Sequence, residues 1–394
     1  MGGSGVKKQK AADTPARRLQ GRRRKQLIAA CAAVAAVVAV AVILAVVFAG
    51  GKDAQGNEGQ SEGFPYSVNA NLVSDMRMLG PDVLLLTDES VTVLDSSGKE
   101  ISRLPHTYKR PAMDLCAGRA LVYDRGGRRL HVQNRRKILL EKELETDIIT
   151  CTIGRSGNFA VATRADNAAG LLTVYDKNVK EVFKWRSSKD YIMSIALSDD
   201  GEYAAAAVTG ISSGERYSRV YVFDLSEEEP LAEFSYPGAA LFDLSFSGNS
   251  TVLFTGDTLR GVIENHTESV PAVEFGTGEL SCYDTSEEGL NALVLSEYGS
   301  MNANDLVVYD GAGQESFRQA FSQEVRWVST DGENTAVLLA GSVQVFDKKG
   351  RQIGHFAVQS DALRVLVSGR DTYVLSMGEL DRLSTRDQSL NSAS

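Results

Sequence analysis

The sequence has few of the residues from which catalytic and metal sites are usually built. It contains four cysteines, four histidines and two tryptophans among 394 residues. The histidines (His106, His131, His266 and His355) fall in four different repeats, and nothing in their spacing would bring ligands within about 2–2.3 Å of one ion. A GxSxG nucleophile elbow and a phosphate-binding loop are also missing. The sequence therefore predicts no catalytic residue, no cofactor and no metal site.

The scarcity of cysteine excludes a disulfide framework. Cys31 lies in a long apolar segment, whereas Cys116, Cys151 and Cys282 fall in the first strands of three different repeats. Three cysteines cannot all pair, and none has metal-ligand spacing. We interpret them as buried thiols that act as small hydrophobic side chains. A Cys116–Cys151 contact between neighbouring repeats stays open.

Proline is also scarce, and basic residues are outnumbered by acidic ones. The eight prolines and the abundant β-branched residues favour strands over disorder. Residues 1–26 carry nine Lys/Arg and one acid, so the rest of the chain has 33 basic and 50 acidic residues and a net charge of −17. An acidic bulk argues against nucleic-acid binding, for which a basic footprint is expected.

The chain does contain a repeating unit of four short strands. In its clearest copy, Ile192–Phe234, the first strand is Ile192–Leu197 and a turn follows at Ser198–Gly201. The second, third and fourth strands are Glu202–Thr209, Ser218–Leu225 and Pro230–Ser235. The second strand is apolar almost without alternation, which is typical of a strand covered on both faces. Four-stranded sheets stacked radially around an axis provide that cover.

A turn glycine marks every unit, and an aspartate often ends the third strand. The glycines lie 37 to 47 residues apart; they are Gly80, Gly118, Gly157, Gly201, Gly248, Gly289, Gly332 and Gly369. The aspartates include Asp95, Asp176, Asp224, Asp310 and Asp347. A period of about 40–45 residues with four strands per period predicts a β-propeller.

Two turns carry a family resemblance. Ser198–Tyr203 has a Ser-x-Asp-Gly-x-Tyr pattern, and Ser329–Gly332 matches part of it. On these residues the chain resembles WD-like and related bacterial propeller repeats, without the Gly-His and Trp-Asp signatures of true WD repeats. The whole layout is similar to a family of membrane-anchored propellers of Gram-positive bacteria, a domain of unknown function, and this resemblance implies no activity. Quinoprotein dehydrogenases carry a tryptophan motif in most blades, so Trp185 and Trp327 alone do not fit them.

The strand count predicts how the ring closes. The last unit offers three strands, Leu363–Val367, Thr372–Ser376 and Glu379–Ser384, but no fourth. Pro65–Asn71 is a surplus extended segment before the first complete unit, so we expect it to supply the missing strand and leave no open edge. The prediction is an all-β, eight-bladed β-propeller over residues 64–386. Seven blades is the alternative, if the unit around Val262–Phe275 or the last one is not a true blade.

A membrane anchor is predicted before the propeller. Residues 1–26 form a basic tail, and Leu27–Phe48 is 22 residues without a charge. As a helix this segment would span roughly 33 Å, enough for a hydrocarbon core of about 30 Å. The basic end predicts a single-pass protein of the cytoplasmic membrane with a cytoplasmic amino terminus and an extracytoplasmic propeller.

A cleaved signal peptide is the alternative to the anchor. Val47-Phe48-Ala49 resembles a cleavage site, although the apolar region of a signal peptide should be only about 7–15 residues long. Residues 49–63 are rich in Gly, Gln, Glu and Ser and are interpreted as a flexible linker. Residues 387–394 are interpreted as a disordered tail.

The candidate binding residues come from one face of the predicted ring. Loops between second and third strands share that face with the links between blades (Ser187–Tyr191 and Tyr236–Ala240 among them), and the longest are Gly210–Ser218, Glu297–Asn304 and Arg164–Gly170. Long loops on a rigid scaffold often bind partners, and Tyr, Met and Arg are favoured at interface cores. The candidates are Tyr191, Arg216, Tyr217, Tyr236, Tyr298 and Met301.

Three functions fit these features. The preferred one is a non-enzymatic, membrane-tethered scaffold that binds a protein or peptide in cell-envelope assembly or maintenance. The second is an extracellular sensor of a small ligand or polysaccharide. The third is a divergent propeller enzyme, which requires carboxylates or a histidine converging at the mouth of the central channel.

Overall fold

The structure is a computed structural model that describes residues 63–286, 289–297, 299 and 302–385. The predicted basic tail, membrane-spanning segment and C-terminal tail lie outside these residues, as does the predicted linker apart from Gly63. Within the described ranges no helix has both the length and the hydropathy of a membrane span.

The first half of the ring consists of four blades that follow a short initial strand. The chain starts with β1 (Tyr66–Ser67) and a 3₁₀ turn at Ala70–Leu72. In each blade the strands are antiparallel and follow one another from the inside of the ring to the outside. Blades 1 to 4 contain β2 (Val73–Leu79), β3 (Asp82–Thr87), β4 (Ser90–Leu94), β5 (Glu100–Pro105), β6 (Pro111–Cys116), β7 (Arg119–Asp124), β8 (Arg129–Gln133), β9 (Ile138–Glu143), β10 (Ile148–Ile153), β11 (Phe159–Ala165), β12 (Ala168–Tyr175), β13 (Glu181–Ser187), β14 (Tyr191–Leu197), β15 (Tyr203–Ser212), β16 (Glu215–Asp224) and β17 (Ala232–Pro237).

The second half of the ring has the same plan with one irregular blade. Blades 5 to 8 contain β18 (Leu241–Ser247), β19 (Thr251–Gly256), β20 (Leu259–Glu264), β21 (Glu268–Ser269), β22 (Val273–Glu274), β23 (Gly278–Thr285), β24 (Asn291–Glu297), β25 (Asn304–Tyr309), β26 (Glu315–Phe321), β27 (Val325–Thr330), β28 (Asn334–Leu339), β29 (Ser342–Asp347), β30 (Gln352–Ala357), β31 (Arg364–Ser368), β32 (Asp371–Leu375) and β33 (Glu379–Ser384). Blade 5 is the unit that was hard to recognise from sequence, because its outer edge is split into β21 and β22, which both pair with β20. The count of eight blades is confirmed.

The second strands form the core, as their continuous apolar pattern predicts. Leu84, Leu85 and Leu86 of β3 are fully buried, because each blade is covered by its two neighbours. The eight predicted turn glycines all have positive φ, from 59° to 93°, a conformation that other residues rarely adopt. Cys151 and Cys282 are free thiols, and Cys116 packs against the hydrophobic cluster that contains Cys151.

The ring closes through the amino-terminal strand, and this prediction is also confirmed. Tyr66 of β1 pairs with Leu380 of β33, which makes β1 the outermost strand of blade 8. The regular strand is shorter than predicted, since it ends at Ser67 before the 3₁₀ turn. Tyr66 is buried, and its hydroxyl accepts a hydrogen bond of 2.7 Å from Arg103 of blade 1. The segment therefore joins the last blade to the first.

Most first strands contain a bulge that the sequence did not reveal. In six of the eight blades the pairing of first and second strand shifts by one residue near the start of the first strand. The skipped residues are Ser74, Ile149, Met193, Phe242, Ser281 and Arg326. A bulge bends the strand and increases its twist, so these strands change direction as they enter the central channel.

The ring has two faces of different construction. We call the face that carries the loops between second and third strands and the links between blades the connection face. The opposite face carries the first-to-second and third-to-fourth turns, and we call it the turn face. The N–H of Phe64 donates to Ser97 in a third-to-fourth turn, and the N–H of Thr385 donates to Arg370 in a first-to-second turn. Both ends of the described chain therefore lie at the turn face.

Candidate functional site

The connection face carries exposed hydrophobic side chains in two groups. Among the described residues, seven of the eleven exposed large hydrophobic side chains are on this face, and all but Val273 at the outer edge of blade 5 fall into the two groups. One group belongs to blade 4 and the other lies where blade 8 meets blade 1. The six residues are Tyr191, Met193 and Ile211, and Leu72, Leu363 and Met377. Blades 4 and 8 are opposite each other in a ring of eight, so the two groups flank the channel mouth.

The first group surrounds a hairpin that rises from blade 4. β15 and β16 each have ten residues and stay paired as far as Ser212 and Glu215. Ser213 and Gly214 form the two-residue turn, and both have positive φ, as a type I′ hairpin turn requires. The prediction of a long loop at Gly210–Ser218 is therefore wrong, because the strands continue through it. Ile211 near the tip is 77% exposed.

A second predicted loop is also a hairpin. β11 and β12 extend to Ala165 and Ala168, which pair with each other and leave only Asp166 and Asn167 as the turn. The prediction of a loop at Arg164–Gly170 is therefore wrong as well. Its small and polar residues conceal the strand pairing in the sequence. The third predicted loop, Glu297–Asn304, lies mostly outside the described residues.

The base of the blade 4 hairpin is fixed by a buried polar cluster. The Tyr217 hydroxyl donates to Asp190 Oδ1 at 2.7 Å, and Arg219 Nη1 lies 3.2 Å from Asp190 Oδ2. The Arg219 guanidinium also stacks over the Tyr217 ring, 4.6 Å from its centroid. The hydrogen bond to Asp190 raises the pKa of Tyr217, because ionising the phenol would remove the donated proton.

The candidate binding residues divide into accessible and buried ones. Tyr191 is 64% exposed, and Arg216 is exposed with Nη2 at 2.7 Å from Asp257 Oδ2. Tyr217 is buried in the cluster just described, and Tyr236 is buried against Phe254 with ring centroids 4.6 Å apart. Tyr191 and Arg216 are therefore the exposed members among the described candidates. The remaining two candidates, Tyr298 and Met301, lie outside the described residues.

An arginine surrounded by aspartates occupies the central channel, a cavity of about 720 Å³. Arg77 of β2 reaches towards blade 6, where its Nη1 lies 3.3 Å from Asp284 Oδ1, and its Nε lies 3.4 Å from Asp75 Oδ2. Asp114 and Asp243 also face this cavity. Desolvation by the channel wall opposes the charge on Arg77, but the Asp75 and Asp284 carboxylates outweigh it and raise the pKa of the guanidinium.

Two of these carboxylates hold neighbouring blades together. Asp114 of blade 2 accepts a hydrogen bond of 2.7 Å from the Thr152 hydroxyl of blade 3. Asp284 of blade 6 accepts one of 2.8 Å from the Thr330 N–H of blade 7. Burial raises the pKa of both carboxyls, and these hydrogen bonds partly offset the effect. Asp114 and Asp284 thus link neighbouring blades by hydrogen bonds and also place negative charge in the channel.

Asp243 is the channel carboxyl with the most distinctive titration. Burial raises its pKa to about 6, and the Arg77 charge and a 3.4 Å contact with Thr285 only partly offset this. The group can therefore exchange a proton near neutral pH. Among the described residues, no three His, Cys, Asp or Glu side chains are arranged to hold a metal ion.

Sequence reasoning missed a small cluster of histidine and tyrosine between blades 1 and 2. A cavity of about 350 Å³ is lined by His106, Tyr108 and His131. The Tyr108 hydroxyl lies 2.9 Å from His131 Nδ1, and His131 Nε2 lies 2.9 Å from Gln133 Oε1. The rings of His106 and Tyr108 stack 4.9 Å apart. Burial lowers the pKa of both histidines. His106 and His131 belong to different repeats, and only the packing of blade 1 on blade 2 brings the two histidines together.

Solved structures share the fold at low sequence identity. BamB from Moraxella catarrhalis is 14% identical with a TM-score of 0.51, over 81% of this chain and 98% of that one. Sqt1 from Saccharomyces cerevisiae is 12% identical with a TM-score of 0.57, over 82% and 100%. Sqt1 from Chaetomium thermophilum, bound to the N-terminus of the ribosomal protein L10, is 14% identical with a TM-score of 0.54, over 82% and 99%. At these identities the likeness shows the fold alone.

The sequence comparison gives a family without an activity. No curated protein matches the chain significantly. A family match runs over residues 66–383, from the closing strand β1 into the last strand β33. The predicted resemblance to a propeller family of unknown function is thus confirmed, whereas its membrane anchoring and Gram-positive type stay predictions. The chain belongs to the family described as "Family of unknown function (DUF5711)".

Proposed function

We propose that this protein is a membrane-tethered, extracytoplasmic scaffold that binds a protein or peptide partner through its connection face. The observation that carries the proposal is the exposure of Tyr191, Met193 and Ile211 on one rigid hairpin and its neighbouring strand. Adjacent exposed apolar side chains often mark a protein–protein interaction site. A role in envelope assembly or maintenance follows from the predicted anchor.

The fold supports a scaffold in two further ways. A propeller related in fold, Sqt1 from Chaetomium thermophilum, was solved bound to the N-terminus of a ribosomal protein, so a ring of this kind can hold a peptide. In addition, Gly63 lies at the turn face, beside the Ser97 turn. The connection face is the opposite face of the ring, so the chain leaves it free of the described amino-terminal end.

Site-specific photocrosslinking tests this proposal. A photoreactive amino acid replaces Ile211 in the full chain, and in a matched control it replaces Glu228, an exposed residue in the third-to-fourth turn of the same blade. We expect one discrete adduct from the Ile211 position, with a partner identified by mass spectrometry, and none from Glu228. Equal adducts from both positions, or none from either, would count against a partner at the connection face.

A ligand sensor is the second candidate, because the cavity lined by His106, Tyr108 and His131 has the size of a small-molecule site. Its test is a ligand-dependent rise in the melting temperature of the full chain across a library of small molecules and oligosaccharides. The rise should disappear in Tyr108→Phe, which removes one hydroxyl from the cavity wall. A rise that persists in this variant would place the ligand elsewhere.

A further inference from the structure

Positive charge is concentrated on one part of the connection face. Eight exposed lysines and arginines lie at the connection-face ends of blades 2 and 3 and in the adjoining links, and we call them the basic arc. They are Lys109, Arg110, Arg125, Arg128, Arg129, Arg164, Arg186 and Lys189. Five acidic residues lie among them, the buried Asp124 and Glu143, Glu145, Asp147 and Asp166 nearer the surface, which leaves a net charge of +3. The chain beyond residue 26 has the opposite sign, with 33 basic and 50 acidic residues.

Main-chain hydrogen bonds hold the first part of the arc in place. Asp124 is buried at the end of β7, and its Oδ1 accepts the N–H groups of Lys109 and Arg110 at 3.0 Å each. The Arg125 N–H then donates to the Arg110 carbonyl at 2.9 Å. The Arg110 guanidinium lies over Gly126, where φ is +77° and a Cβ atom would collide with it. Close contact between these cationic residues is therefore built into the turn.

The rest of the arc is held in a similar way. The Arg164 N–H donates to the Asp147 carbonyl at 2.9 Å, and Arg186 Nη1 donates to the Asp166 carbonyl at 3.1 Å. Arg128 lies 3.4 Å from the Asp147 carboxylate. Between the blades, the Gly126 N–H donates to the Ile148 carbonyl and the Ile148 N–H donates to the Gly127 carbonyl, both at 2.7 Å, so the backbones that carry these basic residues are held together.

Most of this charge is not neutralised by the protein. Apart from Arg128, no member of the arc forms an ion pair with any carboxylate that the structure describes. Elsewhere on the same face, Arg216 pairs with Asp257 and Arg219 with Asp190. Like charges within about 8–10 Å repel each other at physiological salt. A cluster of uncompensated positive charge is a surface to which an anionic group supplied from outside is attracted.

The arc is continuous with the apolar side chains of blade 4. Lys189 is the last member of the arc, and Tyr191 follows it two residues later. Tyr191 pairs with Thr209 on the hairpin that carries Ile211. Between them, Asp190 is buried and holds the base of the hairpin through Tyr217. Cationic and apolar surface thus meet on one rigid element.

We propose that the basic arc and the blade 4 hairpin together bind an acidic segment of a partner protein, with its carboxylates on the arc and one or two apolar side chains against Tyr191 and Ile211. This inference rests on the proposed scaffold function and names its partner chemistry. The net charge of the arc matches a short acidic segment, and the apolar end matches a side chain that such a segment can carry.

Polyanions of other classes fit the surface less well. A nucleic acid or polyphosphate has no apolar side chain for Tyr191 and Ile211, and it would run beyond the arc onto acidic surface. An anionic membrane would have to lie flat on the connection face, where Asp257, Glu324 and Asp361 would meet it. An acidic peptide needs only the arc and the hairpin.

Peptide titrations with the full chain in neutral detergent test the proposal. The probe is a fluorescein-labelled peptide in which glutamates alternate with leucine and phenylalanine, and its twin has serine in place of the apolar residues. The test variant is Arg110→Glu with Arg125→Glu. The matched control is Arg136→Glu with Lys137→Glu, which makes the same charge change on the turn face of the same blade. The basic tail is present in both, so its contribution cancels.

We expect the arc variant to bind the apolar–acidic peptide at least about tenfold more weakly, since two attractions are lost and each reversed charge adds repulsion. The control should bind as the parent does. Tyr191→Ala with Ile211→Ser should remove the advantage of the apolar peptide over its serine twin. Equal loss in arc and control variants, or no loss in either, would overturn the proposal.

Two further arms separate the other ligand classes, with polyphosphate and with vesicles containing phosphatidylglycerol as probes. Binding of either that depends on the arc and exceeds peptide binding would overturn the acidic-segment assignment. The scaffold function itself would stand in that case, because the crosslink from the Ile211 position reports a protein partner independently of charge.

Discussion

The two faces of the ring differ in how they treat their polar groups. On the turn face, the aspartates that end the third strands bind their own turns: Asp176 Oδ1 accepts the N–H groups of Asn178 and Lys180 at 2.8 Å each. Asp310 does the same with Ala312 and Gln314. On the connection face, Tyr191, Met193 and Ile211 stay exposed, and the basic arc apart from Arg128 forms no ion pair with a described carboxylate. The turn face thus repeats one hydrogen-bond pattern, whereas the connection face brings unpaired cationic residues and exposed apolar residues together in blades 2 to 4.

The difference shows which features every blade shares for structural reasons and which are particular to one blade. The turn face repeats the same hydrogen bonds from blade to blade, because every blade needs the same two turns. The connection face varies, with a long hairpin in blade 4 and a basic turn in blade 2. In propellers and other rigid scaffolds, binding surfaces are usually formed by the loops that differ from one repeat to the next.

Among changes at the connection face, Tyr217→Ala is expected to cause the largest loss of stability, because Tyr217 is buried there whereas Tyr191 is exposed. The change removes a buried ring and leaves the Asp190 carboxylate without its hydroxyl donor, so unfolding should become easier by about 3–5 kcal/mol. Tyr191→Ala is the control, because an exposed ring should change stability by less than about 0.5 kcal/mol. Denaturant unfolding of both variants measures this. Equal losses would mean that Tyr191 is part of the core.

A pair of aspartates compares the two faces directly. Asp124→Ala and Asp310→Ala each remove two hydrogen bonds to main-chain N–H groups, so each should lower the free energy of unfolding by about 1–3 kcal/mol. Only Asp124→Ala should also weaken binding of the acidic peptide, because Asp124 positions Arg110. Chemical denaturation and fluorescence anisotropy provide the two measurements. Loss of peptide binding in Asp310→Ala would contradict the assignment of binding to one face.

The smallest effects are expected from pH, in two separate ranges. Burial lowers the pKa of His106 and His131 near the connection face, so the unfolded chain binds more protons and stability should fall as pH drops below about 6.5. On the turn face, the Ser97 hydroxyl lowers the pKa of Asp95, so its contribution should be lost only below about pH 4. Melting temperatures measured between pH 8 and pH 3 test both ranges.

Single variants assign each pH range to its face. His131→Gln should flatten the stability profile between about pH 7 and 5 without changing the acid limb, and Asp95→Asn should do the reverse. An unchanged upper limb in His131→Gln would mean that other groups titrate there. His106 is the alternative, because burial lowers its pKa as well. Asp243, whose pKa burial raises to about 6, would give the opposite slope, because an acid with a raised pKa loses its stabilising contribution as pH rises.

The architecture could be predicted from the sequence because it is encoded locally and repeatedly. Gly80, Gly201 and their equivalents mark turns that need positive φ, and the apolar second strands need cover on both faces. The closing role of the segment around Tyr66 followed from strand counting alone. The turns and strands depend on residues near one another in the chain, and the closure needed only the number of strands.

The candidate site was harder to predict because it depends on contacts between blades. Tyr217 and Tyr236 were expected at the surface, and they are buried because Asp190 and Phe254 provide partners that the sequence does not identify. Arg77 meets Asp284 across the channel, from 207 positions away. The strands around Gly210–Ser218 pair because Ser213 and Gly214 form a two-residue turn. In the sequence, the glycines and serines of this segment suggest a loop instead.

The short closing strand has a mechanical consequence. Tension transmitted along the chain from before Gly63 arrives first at β1, where only Tyr66 and Ser67 pair with β33. Shearing those two residue pairs, and then the Val68–Gly378 and Ala70–Met377 hydrogen bonds, would remove the outermost strand of blade 8 while the other seven sheets keep all their strands. The ring would yield at a single defined point, so a pulling experiment should record a small early rupture before the main unfolding event.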